Sequence, residues 1–220
     1  MSRRPYVPVP LQFSRRPEEE SLSRARSFSE ELRTRRSVRH FSKEPVPIEA
    51  IERCIEAAAS APSGANKQPW TFVLVTEPST KMAIREAAER EERAFYAGRA
   101  SEKWLDDLTE LGTGPEKAFL EDAPALIVVF MQRAGTEAGE RHYYVSESVG
   151  IAVGFLLAGL HHAGFATLTH TPAPMEFVRN LLERPANERA FCIIPVGYPV
   201  EGCEVPKIER KALSEVLIRK

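Results

Sequence analysis

Cysteine is scarce: only Cys54, Cys192 and Cys203 occur in 220 residues, widely spaced, with no CxxC pair and no neighbouring histidine. That excludes a disulfide scaffold and a zinc centre and fits a reducing compartment, so the expected location is cytoplasmic. Net charge is also small, since thirty basic residues face thirty-one acidic ones for a balance of −1. No global basic field is present to recruit nucleic acid, and no acidic tail; the expected partners are small molecules, neutral or locally charged. Long hydrophobic runs are missing too. The most apolar stretch, Val149 to Leu160, is a dozen residues, whereas a bilayer needs about twenty. The first sixteen residues mix Arg3, Arg4, Arg15 and Arg16 with Pro5, Pro8 and Pro10, which is neither a signal peptide nor a membrane anchor. The expectation is a soluble chain, without membrane contact, carrying a flexible charged arm over 1–26. Finally, no glycine-rich nucleotide fingerprint is present: Gly150 and Gly154 stand in a helical pattern, and Gly112-Thr113-Gly114 opens no strand-to-helix turn. A phosphorylated cofactor would have to be held by arginines.

What is there is an interleaving of helical and strand patterns. Pro17-Glu18-Glu19-Glu20 opens a charged helical stretch running to about Thr34. Ile48, Ile51, Cys54, Ile55, Ala58 and Ala59 recur at three- and four-residue spacing, which predicts an amphipathic helix started by Pro47 and ended at Ala61-Pro62-Ser63-Gly64. Trp70 to Val75, between Pro69 and Pro78, reads as a strand. A charged helical pattern follows from Lys81 towards Leu111 and is interrupted at Gly112-Thr113-Gly114-Pro115. Ala125 to Met131 is continuously apolar and of strand length, so it should be buried on both faces. His142 to Ala163 reads as a helix apolar nearly all round, with Gly150, Gly154, Ala158 and Gly159 permitting close approach. Such a helix is either the centre of its own chain or a seam with a second copy. Phe165–Thr171 predicts a strand, Met175–Leu182 a helix and Phe191–Pro199 a strand. Then come the basic cluster Lys207, Arg210 and Lys211 and a short helix containing Leu213, Val216 and Leu217. Four strands among longer helices make an α+β or α/β sandwich of one domain, long enough to bury roughly 70 per cent of the surface of its unfolded chain.

Three stretches offer chemistry. Arg35-Arg36-Ser37-Val38-Arg39 places three guanidinium groups and a hydroxyl within five residues. As a helix it aligns Arg35 with Arg39, and as a strand it aligns Arg35, Ser37 and Arg39, so either conformation converges positive charge on a phosphate. Pro62-Ser63-Gly64-Ala65 follows a helix with an exposed backbone whose hydroxyl and amides can approach a planar ligand. Glu92 and Tyr96, four apart, precede Lys117 beyond a glycine hinge, and together they complement an amino-acid zwitterion.

RRSVRHFS, AAASAPSGANKQPWTFVLV, EREERAFY, KWLDDL, DAPALIVVF, HYYVSESVGIAVGFLLAGLHHAG, TLTHTP, LLERPANE and PVGYP with VPKIERK occur in that order. Across residues 27–213 they resemble the iodotyrosine deiodinase branch of the nitroreductase superfamily. The resemblance implies an α+β fold, a three-layer α/β/α sandwich about a mostly antiparallel sheet, in an intertwined homodimer. It also implies one FMN domain over 27–220, with a lid at about 85–118 and a C-terminal arm at about 200–220. By the same resemblance, Arg35, Arg36, Ser37, Val38, Arg39 and Arg210 hold the FMN phosphate and ribityl end, and Pro62, Ser63 and Gly64 line the flavin. Thr169, His170 and Thr171 approach its ring edge, with the Thr171 hydroxyl on N5 as the catalytic group. Ala65 offers its amide to the substrate phenolate, and Glu92, Tyr96 and Lys117 close over the zwitterion.

The implied activity is FMN-dependent reductive dehalogenation of 3-halotyrosines in one-electron steps, which a hydroxyl donor at N5 favours. Electrons would come from a separate reductase or an NAD(P)H system. A general FMN nitroreductase or quinone reductase and a flavin-binding halotyrosine sensor are the alternatives. Two departures from the branch stand out. His170 takes a place where a third threonine would be familiar, and the chain shows no membrane anchor like that of the vertebrate thyroid enzymes. No metal ligands are expected.

Overall fold

A computed structural model describes residues 5–135 and 140–220. Residues 1–34 form one unit and residues 35–220 another. In the first, helix α1 (Glu18–Thr34) begins with three glutamates, which suit the positive end of a helix dipole. Arg16 and Arg24 both pair with Glu20, at 2.5 and 2.8 Å. The expected division after residue 26 falls inside this helix, which runs unbroken to Thr34.

The second unit is built on four strands among the described residues: β1 (Trp70–Val75), β2 (Ala125–Gln132), β3 (Ala166–Thr167) and β4 (Glu188–Gly197). Their order is β1-β2-β4-β3 and every ladder is antiparallel. The apolar run of β2 is buried on both faces, as its continuity requires. Ala125, Ile127 and Val129 meet Cys192, Ile194 and Val196 on one side, together with helices α2 (Ile48–Ala59) and α6 (Val145–His162). Leu126, Val128 and Phe130 face the other, with helices α3 (Pro78–Ala94), α5 (Phe119–Asp122) and α7 (Glu176–Leu181). Helix α4 (Glu102–Thr109), started by the Ser101 side chain accepting from Trp104 N–H at 3.3 Å, buries none of its residues, and α8 (Leu213–Val216) closes the chain. Each fully buried aliphatic side chain of this two-sided sheet contributes roughly 1.5–3 kcal/mol.

Several boundaries differ from the sequence reading, each for a local reason. The helix expected to continue towards Leu111 breaks after Ala94 into a wider-turned stretch, Phe95–Arg99, before α4. Helix α6 starts at Val145, because Tyr144 sits in the left-handed region at φ 50°. The strand expected over Phe165–Thr171 shortens to two residues plus a bridge from His170 to Ile193. Strand β4 begins earlier, at Glu188, and a bulge opposite Val129 and Phe130 leaves Phe191 without a register partner. Helix α6 is shorter than the expected His142 to Ala163, yet its eighteen residues meet the length and composition of a membrane span. Here its inward face, Val149, Ala152, Val153, Leu156 and Leu160, is packed into the core.

The crossing of β4 with the loop before β2 is tight: a Cβ on Gly197 would stand 2.6 Å from Pro124 Cδ and 3.2 Å from Phe41. Gly197→Ala is expected to destabilise the protein by about 1–3 kcal/mol in chemical denaturation, the usual range for overfilling a packed site.

Candidate active site

The five-residue basic stretch is extended, so the strand alternative holds. Ser37 bridges Thr167 in parallel, and Val38 N–H donates to Thr167 O at 3.0 Å. Val38 is buried in the core while its neighbours Ser37 and Arg39 are only partly covered, so Val38 contributes spacing and a backbone anchor. The C-terminal segment returns to this strand. Arg36 donates to Pro206 O, and Arg210 Nη2 donates to Arg35 O at 2.7 Å. Burial, followed by repulsion from Arg210 and then Arg36, holds the Arg35 guanidinium below its ordinary pKa. Arg35 has no carboxylate partner among the described residues. Arg35, Arg36 and Arg210 are thus gathered at one segment, the first of them partly withdrawn from water.

Beyond the clamp, the segment after β3 alternates. Thr169 and Thr171 are exposed and His170 is buried, edge-on to Phe119 with ring centroids 5.4 Å apart. The His170 N–H and C=O are both committed to Ile193, at 2.9 Å each, and its Nε2 has no hydrogen-bond partner among the described residues. Burial first, then the charges of Lys117 and Arg39, push its pKa down to about 3, so the ring is neutral at physiological pH. The familiar threonine is thus replaced by a side chain that packs inward, leaving the two flanking hydroxyls presented. They line a cavity of about 270 Å³ with Arg39, Tyr96, Trp104 and Lys117.

The three lid residues do come together. Lys117 Nζ lies 3.1 Å from Glu92 Oε2, with the two side chains 4% and 13% exposed. It also stands 5.8 Å from the Tyr96 ring centroid, while Tyr96 OH donates to Thr113 O at 3.2 Å. Burial first, then the charge of Glu92, raise the Tyr96 phenol above its usual range, so it acts as a neutral donor. Glu89 fixes the base of this cluster by accepting from Lys117 N–H at 2.8 Å and Arg85 Nε at 2.8 Å. Burial pulls the Glu89 carboxyl upward, but those two bonds and the charges of Arg85 and Arg93 together hold it below the ordinary carboxylate range. In this arrangement Glu92 and Lys117 satisfy each other, and a zwitterion would separate them by offering an ammonium to one and a carboxylate to the other.

The loop after α2 is a separate construction. Ala65, Asn66 and Gln68 all have positive φ, between 47° and 53°. Ser63 Oγ accepts from Gln68 N–H at 2.9 Å, and Gly64 N–H donates to Ser148 Oγ at 3.3 Å. A Cβ on Gly64 would lie 2.7 Å from Tyr143 O, so glycine is required there. Ser148, which also donates to Tyr144 O at 2.6 Å, is a residue the sequence reading missed. Its only signal was a serine in the first turn of an otherwise apolar helix. None of Pro62, Ser63, Gly64 and Ala65 lines the cavity that holds Thr171 and the lid. Within one chain the two halves of the expected site stay apart. No group of three or more potential metal ligands occurs among the described residues.

The pattern of the Nitroreductase family matches residues 32–198. An iodotyrosine deiodinase of Haliscomenobacter hydrossis is 51% identical over 205 residues, covering 91% of each chain. The chain belongs to the nitroreductase family, in its iodotyrosine deiodinase branch. The mouse member, iodotyrosine deiodinase 1 of Mus musculus, is 44% identical over 214 residues, 96% of this chain and 75% of its own. A crystal structure of oxidised iodotyrosine deiodinase bound to FMN and 3-iodo-L-tyrosine superposes with a TM-score of 0.75 at 34% identity, over 87% of this chain and 97% of that one. The nitroreductase fold, with helices on both faces of an antiparallel sheet, is therefore the fold of this deiodinase-branch chain.

Because His170 is neutral when folded and has an ordinary value of 6.5 when unfolded, the native state loses stability as pH falls below 6.5 towards 3. The loss should approach 1.4 kcal/mol per pH unit, about the linkage of one proton. His170→Phe, which keeps the edge-on contact with Phe119, is expected to flatten the fall in melting temperature between pH 6.5 and 4 relative to the unaltered protein.

Proposed function

We propose that this protein binds FMN and removes halide reductively from 3-halotyrosines. The observation that carries the proposal is the Glu92, Tyr96 and Lys117 cluster. Three groups complementary to an amino-acid backbone, rather than to an arbitrary aromatic, close one side of a cavity whose other wall presents Thr169 and Thr171. The iodotyrosine deiodinase structure with FMN and 3-iodo-L-tyrosine supports the same ligand pair.

The residues present fit FMN. Arg35, Arg36 and Arg210 crowd without a counter-charge on Arg35, as a phosphate dianion would require, and Ser37 and Arg39 extend the line towards the cavity. When bound, FMN supplies the two reducing equivalents that replace a carbon–halogen bond with a carbon–hydrogen bond, delivered in one-electron steps. The chain's own part is to bind, orient and donate. Thr171 presents a hydroxyl at the cavity wall, the natural donor to the ring edge. Ala65 N–H makes no hydrogen bond among the described residues, so it is available to a phenolate. Glu92 takes the substrate ammonium, Lys117 and the Tyr96 hydroxyl take its carboxylate, and the closed lid excludes water.

A second copy completes the site. The outer face of α6 shows Gly150, Ile151, Gly154 and Phe155 exposed, a close-packing apolar stripe opposite the buried one. A homodimer across that stripe carries each Ala65 loop towards the neighbour's cavity, a reading supported by the separation of the two halves within one chain. The electron source is a separate reductase or an NAD(P)H-dependent system, and the three free thiols suit a cytoplasmic setting.

Anaerobically reduced holoprotein is expected to release iodide and tyrosine from 3-iodotyrosine. Glu92→Gln should lower kcat/KM for that reaction by about 10- to 100-fold, the worth of one charge-assisted bond, and leave nitroaromatic reduction within a few-fold. Equal losses on both substrates, or no iodide release by the unaltered holoprotein, would overturn the reading in favour of a general flavin reductase. Thr171→Ala should abolish the long-wavelength absorbance of one-electron-reduced flavin during stepwise reduction with a halotyrosine analogue bound. Unchanged absorbance in that variant would contradict the role given to Thr171.

A further inference from the structure

The Ala65 loop needs a force to hold it. Three residues with positive φ in four, none of them glycine, make a backbone that L-residues adopt at a cost, and such a conformation persists only where neighbours over-determine it. Two of the restraints flank the tip: Ser148 Oγ accepts from Gly64 N–H before it, and Ser63 Oγ reaches across to accept from Gln68 N–H after it. Beyond the tip stands Lys67, whose Nζ pairs with Glu140 Oε1 at 2.8 Å, both side chains 30% exposed. Glu140 lies beyond the end of β2, where Gly135 N–H donates to Glu140 O at 3.2 Å and Ala134 bridges Arg141. His142, its ring Nδ1 on Gln132 O at 3.0 Å, faces the same carboxylate at 3.9 Å. The loop tip is thereby tied, through one ion pair, to the end of the central strand.

We propose that Lys67 is a positioning residue for halotyrosine binding: its ion pair with Glu140 fixes the left-handed turn so that Ala65 N–H is aimed at the substrate's phenolate oxygen. The inference deepens the dehalogenase reading and rests on it. It assigns no contact between Lys67 and substrate. Because the tie acts at Lys67, after the Pro62-Ser63-Gly64 segment expected to line the flavin, and the FMN phosphate is held by a different segment, its loss should weaken binding of the ionised phenol more than that of FMN.

The test uses the full FMN-loaded protein and 3-iodotyrosine as probe. Binding is followed by quenching of flavin fluorescence, and the ionised fraction of the bound phenol by ultraviolet difference absorbance at fixed pH. Lys67→Ala and Glu140→Lys are each expected to weaken binding about five-fold, the upper range of a half-exposed ion pair, and to lower the bound phenolate fraction. Lys67→Arg and the exchanged pair Lys67→Glu with Glu140→Lys should restore both readouts, with FMN affinity within two-fold throughout. If Lys67→Ala binds the probe within two-fold of the unaltered protein, or weakens it with no change in phenolate fraction, the positioning role is wrong while the dehalogenase reading stands. If the unaltered holoprotein fails to bind the probe at all, the dehalogenase reading falls and this inference with it.

Discussion

Like charges brought together are the constraint on which the proposed site depends, Arg35 standing beside Arg36 and Arg210 with no carboxylate partner of its own among the described residues. Arg35 is half-withdrawn from water on an extended strand, its own carbonyl accepts from Arg210, and Arg36 beside it is tethered to Pro206. Each of these contacts positions a guanidinium without neutralising it. In the folded chain the cluster is costly, and a bound dianion would turn the cost into affinity, because the donors are already oriented before the ligand arrives. The sheet makes that possible: the parallel bridge from Ser37 to Thr167 sets the clamp beside the strand whose continuation carries Thr169 and Thr171.

The remainder of the site follows from how the two faces of the sheet are covered. On one face α3 and α5 stand at the base of the proposed lid, with Lys81 reaching from α3 to the carbonyls of Glu121 and Ala123, at 3.0 and 2.6 Å. Packing at that base brings Glu92 of α3 and Lys117 before α5 together with Tyr96 of the Phe95–Arg99 stretch. On the other face α2 and α6 deliver the Ala65 loop and an outward apolar stripe together. A single architecture thus separates the flavin-edge half from the loop half and, in the proposed dimer, supplies the surface that reunites them.

Much of this was legible in the residues themselves. Helix α2, strand β1 and the two-sided burial of β2 follow from apolar spacing and proline punctuation, which are local signals with little competition. Spacing and charge offered the Glu92, Tyr96 and Lys117 trio, but the resemblance to a known branch singled it out, since such residues in a charged segment also look like a solvated helix. The bulge in β4, the shortening of β3 and the late start of α6 were not legible. They are set by pairing register and by a left-handed Tyr144, both decided by partners distant in sequence. Ser148, Lys67 and Glu140 were invisible for the same reason: what they hold is a loop more than seventy residues away in the chain, or the reverse.

The most direct test of the central claim compares ligands that differ only in the charged end. Fluorescence titration of the flavin-free protein with FMN and with riboflavin measures the value of the phosphate alone. Two or three charge-assisted bonds of roughly 1.5–3 kcal/mol each predict that FMN binds at least about 100-fold more tightly, and that the gap narrows as salt is raised. Equal affinity for the two flavins, or no binding of either, would contradict the account.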